Sequence, residues 1–188
     1  MKQETFDAFC RACLDLLKAS RARHIVVGGV AVTAVGEPRL TADLDVIVYV
    51  DAAALERLLR AAVTRRFDVD VDAELMAARE GASVRLRRGR FHLDLIVRSL
   101  FIEDLAYEHS KSRRVFERSV RFPSAEDLLI LKIVAGRPRD LLDAEGIVRR
   151  HGPKLDRRYV QRILMQVCDV AEDHTVLARW RQVLASAG

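Results

Sequence analysis

The strongest constraint on the fold is a pair of aspartates, one residue apart, inside an apolar segment. Asp43 and Asp45 flank Leu44 and lead into a run rich in β-branched residues, which predicts a strand over 43–50. Side chains alternate along a strand, so both carboxylates project from the same face. Two like charges side by side in an apolar element are costly unless a positive charge lies between them.

The simplest such charge is a hard divalent cation with oxygen ligands, most often Mg²⁺ bound to a substrate phosphate. Gly28-Gly29 supports this interpretation because the pair follows a short apolar strand, 24–27, and precedes a short helix, 30–35. Glycine lets the backbone approach a ligand closely, and free N–H groups at a helix start bind phosphate. The stretch therefore predicts a metal and nucleotide site.

A third aspartate interrupts a later apolar segment. Asp94 lies in the second arm of a hairpin that flanks Arg88-Gly89, with strands over 83–87 and 90–97. If this arm neighbours the first strand, three carboxylates meet at one edge of the sheet. Three carboxylates holding one or two Mg²⁺ ions suit in-line attack on a nucleotide phosphate, with Asp94 a candidate to take the attacking proton. The alternative is that these acids lie on the solvent face of a half-exposed strand.

Two polar residues just ahead of the aspartate pair are further candidates. Arg39 and Thr41 could contribute phosphate or metal-shell contacts, and the alternative is an ordinary loop. The histidines show no paired spacing, so no zinc site is predicted.

Lys132 is one of only five lysines and lies in the most apolar predicted helix. A lysine there must either reach the surface or meet an anion, and a triphosphate would supply that anion. Asp140 and Asp143 follow on the next predicted helix, three residues apart, so they can share a face. One of them could pair with Lys132 or with a nearby arginine such as Arg137. The alternative is a helix with an exposed polar stripe.

Composition excludes several classes of protein. No apolar run reaches the roughly 18 residues of a membrane span, and the acidic start carries no secretion signal, so a cytoplasmic location is expected. The formal net charge of +5 favours polyanionic partners only weakly. Three cysteines do not suggest a disulfide framework, and Cys10 and Cys13 are predicted to be core residues of the first helix.

The remaining patterns complete an α/β chain whose last third is helical. Helices are predicted over 4–19, 30–35, 52–65, 73–80, 101–109, 125–135, 139–150, 156–171 and 175–186, and further strands over 67–71 and 114–122. Because the strands stop near Phe122, we expect a core over 1–122 and a helical C-terminal subdomain over 123–188.

The spacing of the motifs resembles the signature of the nucleotidyltransferase superfamily related to DNA polymerase β. That signature consists of Gly28-Gly29, a gap of 13 residues, Asp43-Leu44-Asp45 and a later strand aspartate. The segments 39–41 and 132–143 look like those of the AbiEii/MenT group of nucleotidyltransferase toxins and their uncharacterised relatives. The resemblance spans roughly residues 24–150.

This resemblance implies a mixed sheet that carries the metal site, with flanking helices and a helical C-terminal part. It implies transfer of a nucleoside monophosphate from an NTP with release of pyrophosphate, and Mg²⁺ or Mn²⁺ as the cofactor. In the toxin group the acceptor is a tRNA 3′ end. By motif match the metal ligands are Asp43 and Asp45, the phosphate is held by Gly28 and Gly29, the triphosphate is neutralised by Lys132, and the second acidic position falls on Asp140 or Asp143.

Three hypotheses follow. The first is an active metal-dependent nucleotidyltransferase acting on RNA or on a protein, such as the toxin half of a toxin–antitoxin pair with a cognate antitoxin protein. The second is a nucleotide-binding regulatory or interaction module on the same fold without turnover. The third is a small-molecule nucleotidyltransferase of the antibiotic-modifying kind. All three keep the core, and turnover requires both aspartates of the pair.

Overall fold

The computed structural model describes residues 4–187, which form a mixed α/β chain. In chain order the elements are α1 (Phe6–Ala19), β1 (Arg23–Val27), α2 (Gly28–Val35), β2 (Asp43–Tyr49), α3 (Ala52–Thr64), α4 (Val71–Arg79), β3 (Val84–Arg88), β4 (Phe91–Val97), α5 (Phe101–Glu108), β5 (Lys111–Val115), β6 (Arg118–Phe122), α6 (Ala125–Ala135), α7 (Pro138–His151), a 3₁₀ turn (Gly152–Lys154), α8 (Arg157–Ala171) and α9 (Thr175–Ala187). Within the described range, no helix combines the length and the apolar character needed to cross a membrane.

The main sheet has four strands in the order β1-β2-β4-β3. β1 and β2 are antiparallel, β2 and β4 are parallel, and β3 and β4 are antiparallel. The predicted mixed sheet with flanking helices is therefore confirmed. β2 and β4 are the central strands, and alternate residues such as Leu44, Val46 and Leu95 are fully buried.

Helix starts follow the expected chemistry of side-chain caps. The Asp51 carboxylate accepts the backbone N–H of Ala54 at 2.7 Å and begins α3, as the sequence predicts. Ser124 caps α6 by accepting the N–H of Asp127 at 3.0 Å. These local bonds fix where the chain turns from strand or loop into helix.

The strand predicted over 67–71 is wrong. Of these residues only Asp68 pairs, in an isolated bridge with Arg87. Helix α4 already begins at Val71, because the Asp70 carboxylate accepts the N–H of Ala73 at 3.1 Å and caps it.

The single strand predicted over 114–122 is also wrong, because this region is the hairpin β5–β6. Phe116 and Glu117 form its turn with φ of 52° and 58°. Two consecutive left-handed residues are typical of the tight hairpin turns that glycine and asparagine usually mark. Neither residue type is present here, so the turn has no signal in the sequence.

The chain divides into two compact units. Unit 1 comprises the described residues up to Val30, Leu40–Ser99 and Ser112–Arg121, and unit 2 comprises Ala31–Arg39, Leu100–Lys111 and the described residues from Phe122 onward. The four-stranded sheet lies in unit 1. The predicted helical subdomain lies in unit 2 as far as it is described, together with two earlier stretches that no sequence signal indicates.

Both units bury cysteine thiols. Cys10 and Cys13 on α1 are fully buried in unit 1, which confirms the prediction that they belong to the core. Burial raises the pKa of the Cys10 thiol to about 12 and raises the pKa of Cys13 as well. Cys168 on α8 is buried in unit 2. All three side chains act as small apolar residues.

Candidate active site

The structure brings the three predicted aspartates of unit 1 to one face of the sheet. Asp43 and Asp45 lie on β2, and Asp45 is the direct register partner of Asp94 on the neighbouring parallel strand β4. Register partners on parallel strands project from the same face, and so do residues two apart on one strand. We call Asp43, Asp45 and Asp94 the acidic row.

Gly28 makes room for the acidic row. It directly follows β1 with φ of +62°, and a Cβ placed there would be 1.8 Å from Asp45 Oδ2. The Asp45 carboxylate thus occupies the space that any other residue at position 28 would need. Helix α2 begins at Gly28, two residues earlier than predicted, and the role of Gly28 and Gly29 in holding phosphate stays a prediction.

Thr41 supports Asp43. Its hydroxyl donates a short hydrogen bond to the Asp43 carboxylate and lies 3.3 Å from the Asp43 backbone oxygen. Hydrogen bonds of this kind commonly orient the side chains that bind metal ions in proteins. The two predicted roles for Thr41, a phosphate contact and a metal-shell contact, stay predictions.

Sequence analysis missed the residue that contacts Asp94. Arg85 lies opposite Asp94 on β3 and donates from Nε to Oδ1 at 2.7 Å and from Nη2 to Oδ2 at 2.8 Å. This two-bond arrangement is the geometry in which guanidinium and carboxylate groups match best. The alternating arginines of β3 were the available signal, but only the strand order identifies the partner.

The carboxylates of Asp43 and Asp45 fit a divalent metal ion as two of its ligands. Among residues 4–187, no three His, Cys, Asp or Glu side chains are placed to hold a metal ion together. The carboxylates of Asp43 and Asp45 supply the hard oxygen ligands that Mg²⁺ prefers, and Mg²⁺ commonly takes only one or two carboxylates plus substrate phosphates. Because Gly28 has no Cβ, the Asp45 carboxylate can lie directly against the backbone at this point.

Unit 2 contains a separate set of charges around Lys132, which we call the buried charge cluster. Lys132 Nζ lies 2.7 Å from Asp140 Oδ1 and 2.8 Å from Asp143 Oδ2. All three side chains are less than 10% exposed. The sequence left open which aspartate pairs with Lys132, and the structure shows that both do.

Two arginines complete the buried charge cluster. Arg39 donates to both oxygens of Asp143, from Nε at 2.7 Å and from Nη2 at 3.0 Å. Arg137 donates from Nε to Asp140 Oδ2 at 2.5 Å and keeps 75% of its side chain exposed. The anion that meets Lys132 is therefore the protein's own, and contacts of Lys132, Arg39 or Arg137 with a nucleotide stay predictions.

The turn between α6 and α7 builds this cluster. Gly136 ends α6 in the left-handed conformation, and Pro138 opens α7 directly afterwards. Asp140 falls in the first turn of α7, where the positive end of the helix dipole favours a carboxylate. The end of α6 and the start of α7 thus place both aspartates opposite Lys132.

A family model described as "Nucleotidyl transferase of unknown function (DUF2204)" matches residues 6–181. The chain belongs to this family. The prediction of a nucleotidyltransferase is confirmed at this level, and enzymes of this class use an NTP and divalent metal ions. No curated protein matches the sequence significantly.

Solved structures share the fold of this nucleotidyltransferase. An antigenic nucleotidyltransferase-like protein from Paracoccidioides brasiliensis is 17% identical, with a TM-score of 0.53 over 93% of this chain and 92% of that one. The solution structure of the antibiotic-resistance factor ANT(2″)-Ia is 13% identical, with a TM-score of 0.56 over 90% and 96%. The crystal structure of ANT(2″)-Ia with adenylyl-2″-tobramycin is 13% identical, with a TM-score of 0.55 over 80% and 92%. At these identities the likeness establishes the fold alone.

Lowering the pH should reduce the folding stability of this nucleotidyltransferase through protonation of Asp140. Burial acts to raise the pKa of Asp140, but hydrogen bonds from Arg137 and Lys132 outweigh it and hold the pKa below its usual value of 3.8. The unfolded chain therefore takes up this proton at higher pH than the folded chain. The stabilisation is present above the unfolded pKa and is lost as the pH falls below it toward the lowered pKa of the folded chain.

Urea unfolding across this pH range measures the effect. Asp140→Asn should flatten the dependence of the unfolding free energy on pH, whereas Asp72→Asn, at an exposed carboxylate on α4, should not. A slope identical in the Asp140→Asn variant and the wild type would contradict the assignment.

Proposed function

We propose that this nucleotidyltransferase moves a nucleoside monophosphate from an NTP to an acceptor hydroxyl, with Asp43 and Asp45 holding one or two Mg²⁺ ions. The observation that carries the proposal is the seating of the Asp45 carboxylate in the space where position 28 lacks a Cβ. A glycine at position 28 lets the Asp45 carboxylate lie directly beside the start of α2, where backbone N–H groups favour a phosphate.

The residues of unit 1 have distinct parts in this proposal. Asp43 and Asp45 present carboxylate oxygens on one face of β2, and Thr41 holds Asp43 in position. When bound, the metal would offset the triphosphate charge and orient the attacking hydroxyl. The acceptor oxygen forms a bond to the α-phosphorus, the bond to pyrophosphate breaks, and the hydroxyl proton passes to a carboxylate or to water.

For the acceptor we propose RNA, with the 3′ end of tRNA first. The resemblance of the segments 39–41 and 132–143 to AbiEii/MenT toxins supports this choice, and a net charge of +5 suits a polyanion. In that case the protein would act in the cytoplasm as a toxin and would be controlled by a cognate antitoxin protein.

The second candidate acceptor is a small molecule with a free hydroxyl. The fold likeness to ANT(2″)-Ia favours it, because one structure of that protein contains adenylyl-2″-tobramycin. The fold is shared while the sequence is 13% identical, so this acceptor class belongs to ANT(2″)-Ia and is proposed here only by analogy.

Transfer of label from each α-³²P-labelled NTP tests the proposal. The protein and Mg²⁺ are incubated with total tRNA in one series and with tobramycin and other aminoglycosides in another. We expect labelled tRNA that is lost in Asp45→Asn and retained in Asp72→Asn, which removes an exposed carboxylate from the same unit.

The outcomes separate the candidates. Label on an aminoglycoside but not on tRNA selects the small-molecule acceptor. NTP binding without transfer to RNA, protein, the enzyme itself or an aminoglycoside indicates a binding module and overturns the proposed activity.

A further inference from the structure

Asp94 already forms an ion pair with Arg85. Its guanidinium engages both carboxylate oxygens, at 2.7 Å and 2.8 Å, and the Asp94 side chain is only 10% exposed. A carboxylate whose two oxygens accept a matched pair of charged donors has little capacity left for another cation. Asp94 in this arrangement is a poor metal ligand and a poor proton acceptor.

Arg85 also lies beside the acidic row on the same face of the sheet. Asp45, Asp94 and Arg85 are successive register partners across β2, β4 and β3, so all three project from the same face. The hydrogen bonds to Asp94 raise the pKa of the Arg85 guanidinium, and the charges of Asp43 and Asp45 act in the same direction. Arg85 therefore interacts favourably with all three carboxylates.

We propose that Arg85 is the resident cation of the acidic row and that it competes with the divalent metal for Asp94. This inference rests on the proposed function, because it takes Asp43 and Asp45 to be the primary metal ligands. Arginine stays charged at any ordinary pH, so it vacates Asp94 by swinging its side chain away and not by losing a proton.

The surroundings of Arg85 provide a second place for its charge. A polar cavity of about 210 Å³ lies beside it, with Asp68, Asp70 and Glu74 in the wall. Glu74 already contacts the same residue, since its Oε2 accepts the Arg85 backbone N–H at 2.8 Å. The Arg85 side chain is 48% exposed, so its movement from Asp94 toward these carboxylates meets no packed core.

The competition has a consequence for the order of events. Asp43 and Asp45 bind the first metal while Asp94 stays paired with Arg85. Asp94 becomes available as a ligand or as a proton acceptor only after Arg85 has left. Arg85 is thus a positioning residue that limits how strongly the empty enzyme holds metal.

Mn²⁺ binding without nucleotide tests this proposal, with the free Mn²⁺ signal in electron paramagnetic resonance as the readout. Arg85→Gln should bind Mn²⁺ about tenfold more tightly than the wild type, the gain expected when a charge-assisted competitor is removed. Arg87→Gln is the matched control because it removes the same charge from the same face of β3, opposite His92 and not Asp94. The gain should be absent in Arg87→Gln and should vanish in Arg85→Gln/Asp94→Asn.

The outcomes distinguish this inference from the proposed function. If Mn²⁺ binds the wild type and is lost in Asp45→Asn, but Arg85→Gln leaves the affinity unchanged or lower, the competition is overturned and the metal site stands. An equal gain in Arg87→Gln would show a general charge effect and would also overturn it. If neither the wild type nor Arg85→Gln binds Mn²⁺, both the metal site and the competition are wrong.

Discussion

Gly28→Ala should lower nucleotidyl transfer by about 100-fold or more, because misplacing a catalytic group by about 1 Å costs on that order. The added Cβ would lie 1.8 Å from Asp45 Oδ2 and 2.4 Å from Asp45 Cγ, so the carboxylate must move. Moving it displaces one of the two proposed metal ligands. Gly28→Ala should also weaken the binding of Mn²⁺ measured in the absence of nucleotide.

The backbone contributes a second, separable cost. Gly28 has φ of +62°, and an alanine in that left-handed conformation is less favourable by about 1–2 kcal/mol. Gly89→Ala is the matched control, because Gly89 has φ of +59° and nothing within 4 Å of the added Cβ. It should lose similar stability and keep full activity. Full activity in Gly28→Ala would contradict the view that activity depends on the present position of the Asp45 carboxylate.

Lys132→Met should destabilise unit 2 by about 3–5 kcal/mol, the usual cost of removing one partner from a buried group of charges. Both carboxylates that contact Lys132 Nζ, those of Asp140 and Asp143, are 5% exposed or less. Methionine fills much of the same volume, so the loss would come from charge and not from a cavity. Urea unfolding at pH 7 measures the change in unfolding free energy.

An exposed ion pair in the same unit provides the control for Lys132→Met. Arg149 on α7 pairs with Glu37 through two bonds of 3.1 Å and 2.8 Å, yet both side chains are at least 42% exposed. Arg149→Met should leave the unfolding free energy nearly unchanged, because water replaces the pair. An equally small effect of Lys132→Met would contradict the view that the buried charge cluster holds this unit together.

The placement of Asp43 and Asp45 on one face could be predicted from the sequence because it depends on a local rule. Alternation along a strand places Asp43 and Asp45 on one face without any knowledge of the fold. The same holds for Asp140 and Asp143, whose spacing on a helix suffices to bring them to one side. In each case the decisive geometry lies within a single element.

The partner of Asp94 could not be predicted, because it depends on which strands are neighbours. Arg85 and Asp94 are nine residues apart on a hairpin, and a shift of one residue in register would place a different side chain opposite Asp94. The β5–β6 turn was missed for a different reason. Phe116 and Glu117 adopt left-handed conformations that their side chains do not favour, so tertiary context overrides local preference there.

The buried thiols give each unit an internal chemical reporter. Cys10 and Cys13 belong to α1 in unit 1, and Cys168 belongs to α8 in unit 2. A buried thiol reacts with an alkylating reagent only when its surroundings open, and the raised pKa of Cys10 suppresses its thiolate further. The positions of alkylation in a digest therefore reveal which unit opens first, without any engineered label.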